Sequence, residues 1–186
     1  MKSVFIPMTI ALRMLKDKRR SMLIWGIGMA SLAAVTALFF PFVETMGSDL
    51  DQVFASLPEA AQRAFLGGAT DHSSPEGYLR IEIFTLAAPA LIAVFAINLG
   101  ATAIAGEEAN RTLSLLLSSP ISRSKVVLGK WIGLALATGI ICGALYLGLQ
   151  TGSLISDINI GWNKLFAATL SVMLFGLCLG TFALAM

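Results

Sequence analysis

The residues of this 186-residue chain best suited to specific contact gather between Gly106 and Gly133, GEEANRTLSLLLSSPISRSKVVLGKWIG. Glu107 and Glu108 close a long apolar run, where the negative end of a helix dipole disfavours acids. Arg111 follows them at helical spacing and can pair with both. The helix continues through Thr112 and Leu113 to Leu117, and Pro120 stops it. Beyond Pro120, Ser122 suits an N-cap for a short helix bearing Arg123, Lys125, Val126, Val127 and Leu128. Basic and apolar groups side by side can form a docking surface for a protein partner. The same pattern also suits a plain membrane hairpin anchored by positive charge.

Catalytic constellations are missing from the apolar stretches, which hold no paired Asp or Glu, no histidine cluster and no serine beside a base. His72, among Asp71, Ser73 and Ser74, reads as a solvated loop residue. Cys142 and Cys178 read as small core residues and not as a disulfide or metal pair. The eight methionines are scattered and read as packing. With no Gly-rich phosphate loop ending in Lys-Ser or Lys-Thr, the chain cannot bind ATP by that device. We therefore expect no catalytic residues, no cofactor and no metal. Asn98 and Thr102, one helical turn apart, are expected to bond across helices or to face a transport path.

The composition determines the solvent. AVILMFWYC residues make up 56% of the chain, and counting glycine but not tyrosine raises the apolar share to roughly 64% against about 45–50% in a globular domain. Only 13% is charged, and the mean hydropathy is +0.81. A soluble fold of this size cannot hide that much apolar surface. A net charge of +2 is too small to suggest a nucleic-acid partner, so the expected environment is a lipid bilayer.

A helix crosses the hydrocarbon core with about 20 apolar residues. Runs free of Asp, Glu, Lys and Arg occupy Met22–Val43, Ile83–Gly106, Trp131–Ser153 and Leu165–Met186. The division expected is an interfacial helix over 1–21, spans over 22–43, 81–106, 131–153 and 165–186, an outer segment over 44–80, a cytoplasmic segment over 107–130 and an outer loop over 154–164. The first run is too long for a cleaved signal peptide and reads as an uncleaved anchor. Lys2, Arg13, Lys16, Lys18, Arg19 and Arg20 precede it, and Arg111, Arg123, Lys125 and Lys130 separate the second and third spans, while Arg63, Arg80 and Lys164 fall on the other side. The positive-inside rule therefore predicts a cytoplasmic N terminus.

Val4, Phe5, Met8, Ala11, Leu12 and Leu15 recur at helical spacing, which predicts an amphipathic helix in the cytoplasmic interface, with ordinary packing as the alternative. In the outer segment, Leu50, Val53, Phe54, Leu57, Ala61, Ala64 and Phe65 form an apolar stripe, broken at Pro58 and stopped at Gly67-Gly68. Ser74-Pro75-Glu76 reads as a cap, a first-turn proline and an acid at the positive end of a helix. Glycines four residues apart at 129/133, 139/143, 148/152 and 176/180 predict close helix packing.

The motifs Glu107-Glu108, Thr112-Leu113-Ser114-Leu115-Leu116-Leu117, Pro120-Ile121-Ser122-Arg123 and Leu128-Gly129-Lys130 together resemble the permease subunits of ABC-2 type ABC transporters. The similarity is nearest to the nitrous-oxide-reductase maturation permease group, and it covers the whole chain. Arg111 stands where that family usually has Gly, and Ser114 where it usually has Glu. The resemblance implies an all-α polytopic transmembrane bundle of six spans, of which this chain offers four, so that it reads as truncated after the fourth.

The same resemblance implies a permease in the plasma membrane, exporting an unidentified substrate with ATP hydrolysed by separate cytosolic ABC ATPase subunits. A second permease copy or a related permease completes the path. On that mapping, Ser119, Pro120, Ile121, Ser122, Arg123 and Lys125 belong to a coupling helix that docks on the ATPase. Glu107, Glu108, Arg111 and Thr112 stiffen the lever above it. The alternative is a membrane assembly or scaffold protein that transports nothing.

Overall fold

The computed structural model describes residues 2–45, 56–58, 60–61, 74–109, 122–158 and 160–186, and for 2–5 and 104–109 the backbone alone. Among the described residues every regular element is helical: α1 Lys2–Asp17, α2 Arg19–Thr45, α3 Pro75–Leu79, a π-helix over Arg80–Ala87, α4 Ala88–Ala109, α5 Arg123–Ile155 and α6 Trp162–Ala185. Among the described residues, four helical stretches are long and apolar enough to cross a membrane: Arg19–Thr45, Pro75–Ala103, Arg123–Ile155 and Trp162–Ala185. Large apolar side chains on them remain uncovered, with Leu86 73%, Leu154 69% and Phe182 68% exposed. Such a surface requires lipid as its solvent. The apolar stripe and glycine stop expected between 50 and 68 lie almost wholly outside the described residues, as does His72.

Local chemistry explains the second long helix. The Gly77 amide donates to the Ser74 hydroxyl at 3.1 Å, Pro75 occupies the first turn, and Glu76 lies at the positive end of the dipole, as Ser74-Pro75-Glu76 leads one to expect. The helix then widens into the π winding, and the Thr85 hydroxyl donates to the Arg80 carbonyl at 2.9 Å. Pro89 follows just after this stretch. It has no N–H to give, and its ring crowds the carbonyl four residues back, so a widened turn before it relieves the conflict. At the end of α5, the Ile158 amide donates to the Ser153 carbonyl at 3.0 Å while Asp157 adopts a φ of 55°. This is the six-to-one bond of a Schellman cap, with Asp where glycine is usual.

The chain divides into two compact units, Met1–Gly26 with Leu91–Ile141 and Met173–Met186, and Ile27–Ala90 with Cys142–Val172. The core of the first includes Ala11, Met14, Ile92, Phe95, Leu134 and Ile141. The Trp25 and Phe95 rings meet there with centroids 5.7 Å apart. The core of the second includes Met29, Ala33, Phe40, Leu79, Ile83, Leu145 and Leu149. In that unit Phe40 meets Tyr78 at 5.7 Å, and Tyr146 meets Phe166 edge-on at 6.2 Å, both favourable aromatic geometries.

Candidate functional site

Positive charge is concentrated in the first unit. Its described side chains include Arg13, Lys16, Lys18, Arg19, Arg20, Arg123, Lys125 and Lys130, against Asp17. The described charged side chains of the second unit are Arg80 and Lys164 with Glu44, Glu76, Glu82 and Asp157.

Arg123 opens α5, which runs unbroken for 33 residues. The Lys125 and Val126 amides both donate to the Ser122 carbonyl, at 2.9 and 3.4 Å. Arg123 and Lys125 thus occupy the first turn of the same helix that forms the third apolar span, where the sequence suggested a short helix of their own. Ser122 and Arg123 are exposed, and Lys125 is half-buried. The first turn is the unfavourable end of a helix for cations, so helix stability does not account for these two residues.

This basic end is backed by α1. A β-carbon built on Gly129 would lie 2.9 Å from the Pro7 carbonyl oxygen and from the Ile10 Cβ, and one on Gly133 would lie 2.8 Å from the Met14 sulfur. Two bare glycines let the α1 backbone seat against α5. The helix is therefore packed on one face, with Pro7, Ala11 and Met14 buried, while Met8, Leu12, Arg13 and Lys16 remain exposed on the rest of its surface. Packing and an exposed amphipathic surface coexist.

Glu107 and Glu108 fall in the last turn of α4. Arg111, Thr112, Ser119, Pro120 and Ile121 lie outside the described residues. Asn98 is exposed, and the Thr102 hydroxyl donates to the Asn98 carbonyl of its own helix at 2.8 Å. A serine or threonine bonded back to its own turn is satisfied without a neighbouring helix.

Three of the glycine pairs have partners. Besides Gly129/Gly133 on α1, Gly148 and Gly152 meet α2, where a Gly152 β-carbon would lie 2.7 Å from the Ala37 Cβ and 2.8 Å from the Ala34 carbonyl oxygen. Gly176 and Gly180 meet α4, where β-carbons built on them would lie 2.9 Å from the Ile92 Cγ1 and 3.0 Å from the Ala96 carbonyl oxygen. Gly139 and Gly143 do not make such a contact: the nearest atom to a Gly139 β-carbon is the Met173 sulfur at 3.9 Å, and around Gly143 there is nothing within 4 Å. The expectation for the cysteines also needs correction. Cys142 is a buried core residue, but Cys178 is exposed and both thiols are free. The flanking Gly176 and Gly180 are buried, which turns Cys178 to the other side of α6.

Sequence reasoning did not find the long-range polar contacts. Trp131 donates its indole N–H to the Thr181 hydroxyl at 3.0 Å, the Ser156 hydroxyl donates to the Ala37 carbonyl at 3.1 Å, and Lys164 holds Glu76 at 2.7 Å. Partners so distant in the chain have no spacing signal. An acid and a base each standing at the start of an apolar helix was the available hint for the last pair.

Four long apolar helices with an apolar exterior among the described residues define a multi-pass membrane protein. Residues 8–186 match the ABC-2 family transporter protein family. The chain belongs to that family, and as such it is a transporter permease subunit. No curated protein and no solved structure matches it.

Proposed function

We propose that the chain is the membrane-spanning subunit of an ABC transporter of the plasma membrane, driven by separate cytosolic ATPase subunits and paired with a second copy or a related permease. The observation that carries this reading is family membership over residues 8–186. The placement of Arg123 and Lys125 in the first turn of α5 supports it, because cations there invite an external acidic partner. Ser119, Pro120, Ile121 and Ser122 complete the docking segment, and Glu107, Glu108, Arg111 and Thr112 brace it. The N terminus lies in the cytoplasm, in keeping with the gathering of basic residues in one unit. An ATPase that closes on nucleotide would push on the start of α5, carry α1 with it through Gly129 and Gly133, and bias the spans toward outward release of an unidentified substrate. Asn98 and Thr102 line the path or pack beside it.

The test is co-purification of the chain with its ATPase after Arg123→Glu and Lys125→Glu are introduced together. Recovery of the ATPase should fall on the order of tenfold, with membrane insertion of the permease unchanged. Undiminished recovery overturns the docking assignment.

A further inference from the structure

The second unit contains a groove of about 630 Å³ between the start of the second long helix and the start of α6, inside the range of about 300–1,000 Å³ typical of ligand pockets. The groove is divided in polarity along its length. Glu76, Arg80 and Lys164 lie at the helix starts beside Leu165, whereas Phe84, Ala168 and Val172 line it further along, with Leu165 and Val172 buried. From Lys164 to Val172 the helix rises about 12 Å, so one end of the groove is charged and the other uncharged. The two hydroxyls beside Phe84 and Val172 each donate to a carbonyl of their own helix, Thr85 to Arg80 at 2.9 Å and Ser171 to Ala167 at 3.0 Å. Neither hydroxyl proton is left to donate to a sugar, nucleotide or peptide. Exposed Leu86, Phe166 and Leu170 stand on the same helices outside the groove lining, so the helices that bound the groove also present apolar faces suited to acyl chains.

The charged residues of the lining have a positive excess. Glu76, Arg80 and Lys164 together carry a formal charge of +1. Lys164 spans both Glu76 carboxylate oxygens at 2.7 Å, and an ammonium has three donors, so a phosphate can join this pair without breaking it. Three lining residues, Arg80, Phe84 and Thr85, come from the π-helix, a winding that is rare and concentrated at functional sites.

We propose that this groove is a binding site for an anionic phospholipid, with one acyl chain lying along Phe84, Leu165 and Val172 and the headgroup phosphate held by Arg80 and Lys164. The assignment goes beyond the transporter reading and does not depend on ATPase coupling. Trp162, two residues before Lys164, reports on the site once Trp25→Phe and Trp131→Phe remove the other tryptophans. The full chain is placed in lipid nanodiscs doped with phosphatidylglycerol, or with phosphatidylcholine, brominated near the headgroup end of one acyl chain. Quenching of Trp162 should reach half its maximum at about fivefold less brominated phosphatidylglycerol than phosphatidylcholine, a preference worth one basic side chain at a lipid surface. Arg80→Gln with Lys164→Gln should bring the two lipids to parity, and Ala168→Phe, which fills the groove, should abolish the preference with helix content unchanged. Equal quenching by the two lipids in the unsubstituted groove overturns the proposal whatever the variants do. So does a preference that survives both sets of substitutions in folded protein.

Discussion

Lys164 and Glu76, 88 residues apart in the chain, meet with the ammonium 2.7 Å from each carboxylate oxygen, and so join the first turn of the second long helix to the first turn of α6. The two side chains are 69% and 46% exposed, and an exposed pair contributes about 0–1 kcal/mol in water. Its physical role is register more than stability, because it holds two helix starts side by side at the mouth of the groove. Either Glu76→Lys or Lys164→Glu alone should lower the thermal midpoint in detergent by a degree or so, on the order of 1 kcal/mol or less. The double exchange should recover most of the loss. A double-mutant cycle with no coupling would show that the pair does not form.

Glycine pairs of identical spacing should respond differently to substitution. Gly152→Leu forces a side chain onto Ala34 and Ala37 of α2, where even a β-carbon would lie 2.7 Å from the Ala37 Cβ. Overpacking of this kind costs about 1–3 kcal/mol, so the variant should melt earlier and lose monodispersity on gel filtration. Gly143→Ala, with nothing within 4 Å, should be neutral or raise stability by up to about 1 kcal/mol through helix propensity. Similar losses at both positions would contradict the packing described here.

This difference marks how far the sequence could be read. The spans were legible because crossing a bilayer depends on one variable, an uncharged apolar run of sufficient length. The Ser74 cap was legible because its chemistry is local. The partners of the glycine pairs were not, since Gly139/Gly143 and Gly148/Gly152 differ only in which backbone arrives opposite them. The continuity of α5 from Arg123 into the span was hidden for a related reason. Charge tells where an apolar run ends, and a helix can continue well beyond it. The π winding before Pro89 leaves no mark on hydrophobic periodicity, and the groove depends on Glu76 and Lys164 meeting across 88 residues. Of the expected docking residues, Arg123 and Lys125 could be placed on a helix, while Ser119, Pro120 and Ile121 lie outside the described residues.

The seating of α1 on α5 makes a separate prediction. Gly129→Val together with Gly133→Val would push side chains into Pro7, Ile10 and Met14, where the β-carbon positions already lie 2.8–2.9 Å from those residues. α1 should detach while the spans remain inserted. Hydrogen exchange over residues 6–17 should then accelerate on the order of tenfold, with little change in α6. Protection unaltered in both helices would mean that α1 is held by something other than this contact.

Asp157 gives the sharpest local test, because its backbone is in the left-handed region at φ 55° while the cap around it depends on that conformation. The Ile158 amide reaches the Ser153 carbonyl at 3.0 Å only if residue 157 turns the chain this way. A left-handed conformation costs an ordinary L-residue about 1–2 kcal/mol, Asp tolerates it better, and glycine adopts it freely. Asp157→Gly should therefore leave the thermal midpoint unchanged or raise it slightly. Asp157→Val, β-branched and without a side-chain acceptor, should lower stability by about 1–2 kcal/mol and weaken the Ser156 hydroxyl bond to the Ala37 carbonyl, which rests on the same turn. The order glycine, aspartate, valine in unfolding midpoint is the expected result. A valine variant as stable as the glycine variant would show that residue 157 does not carry the turn.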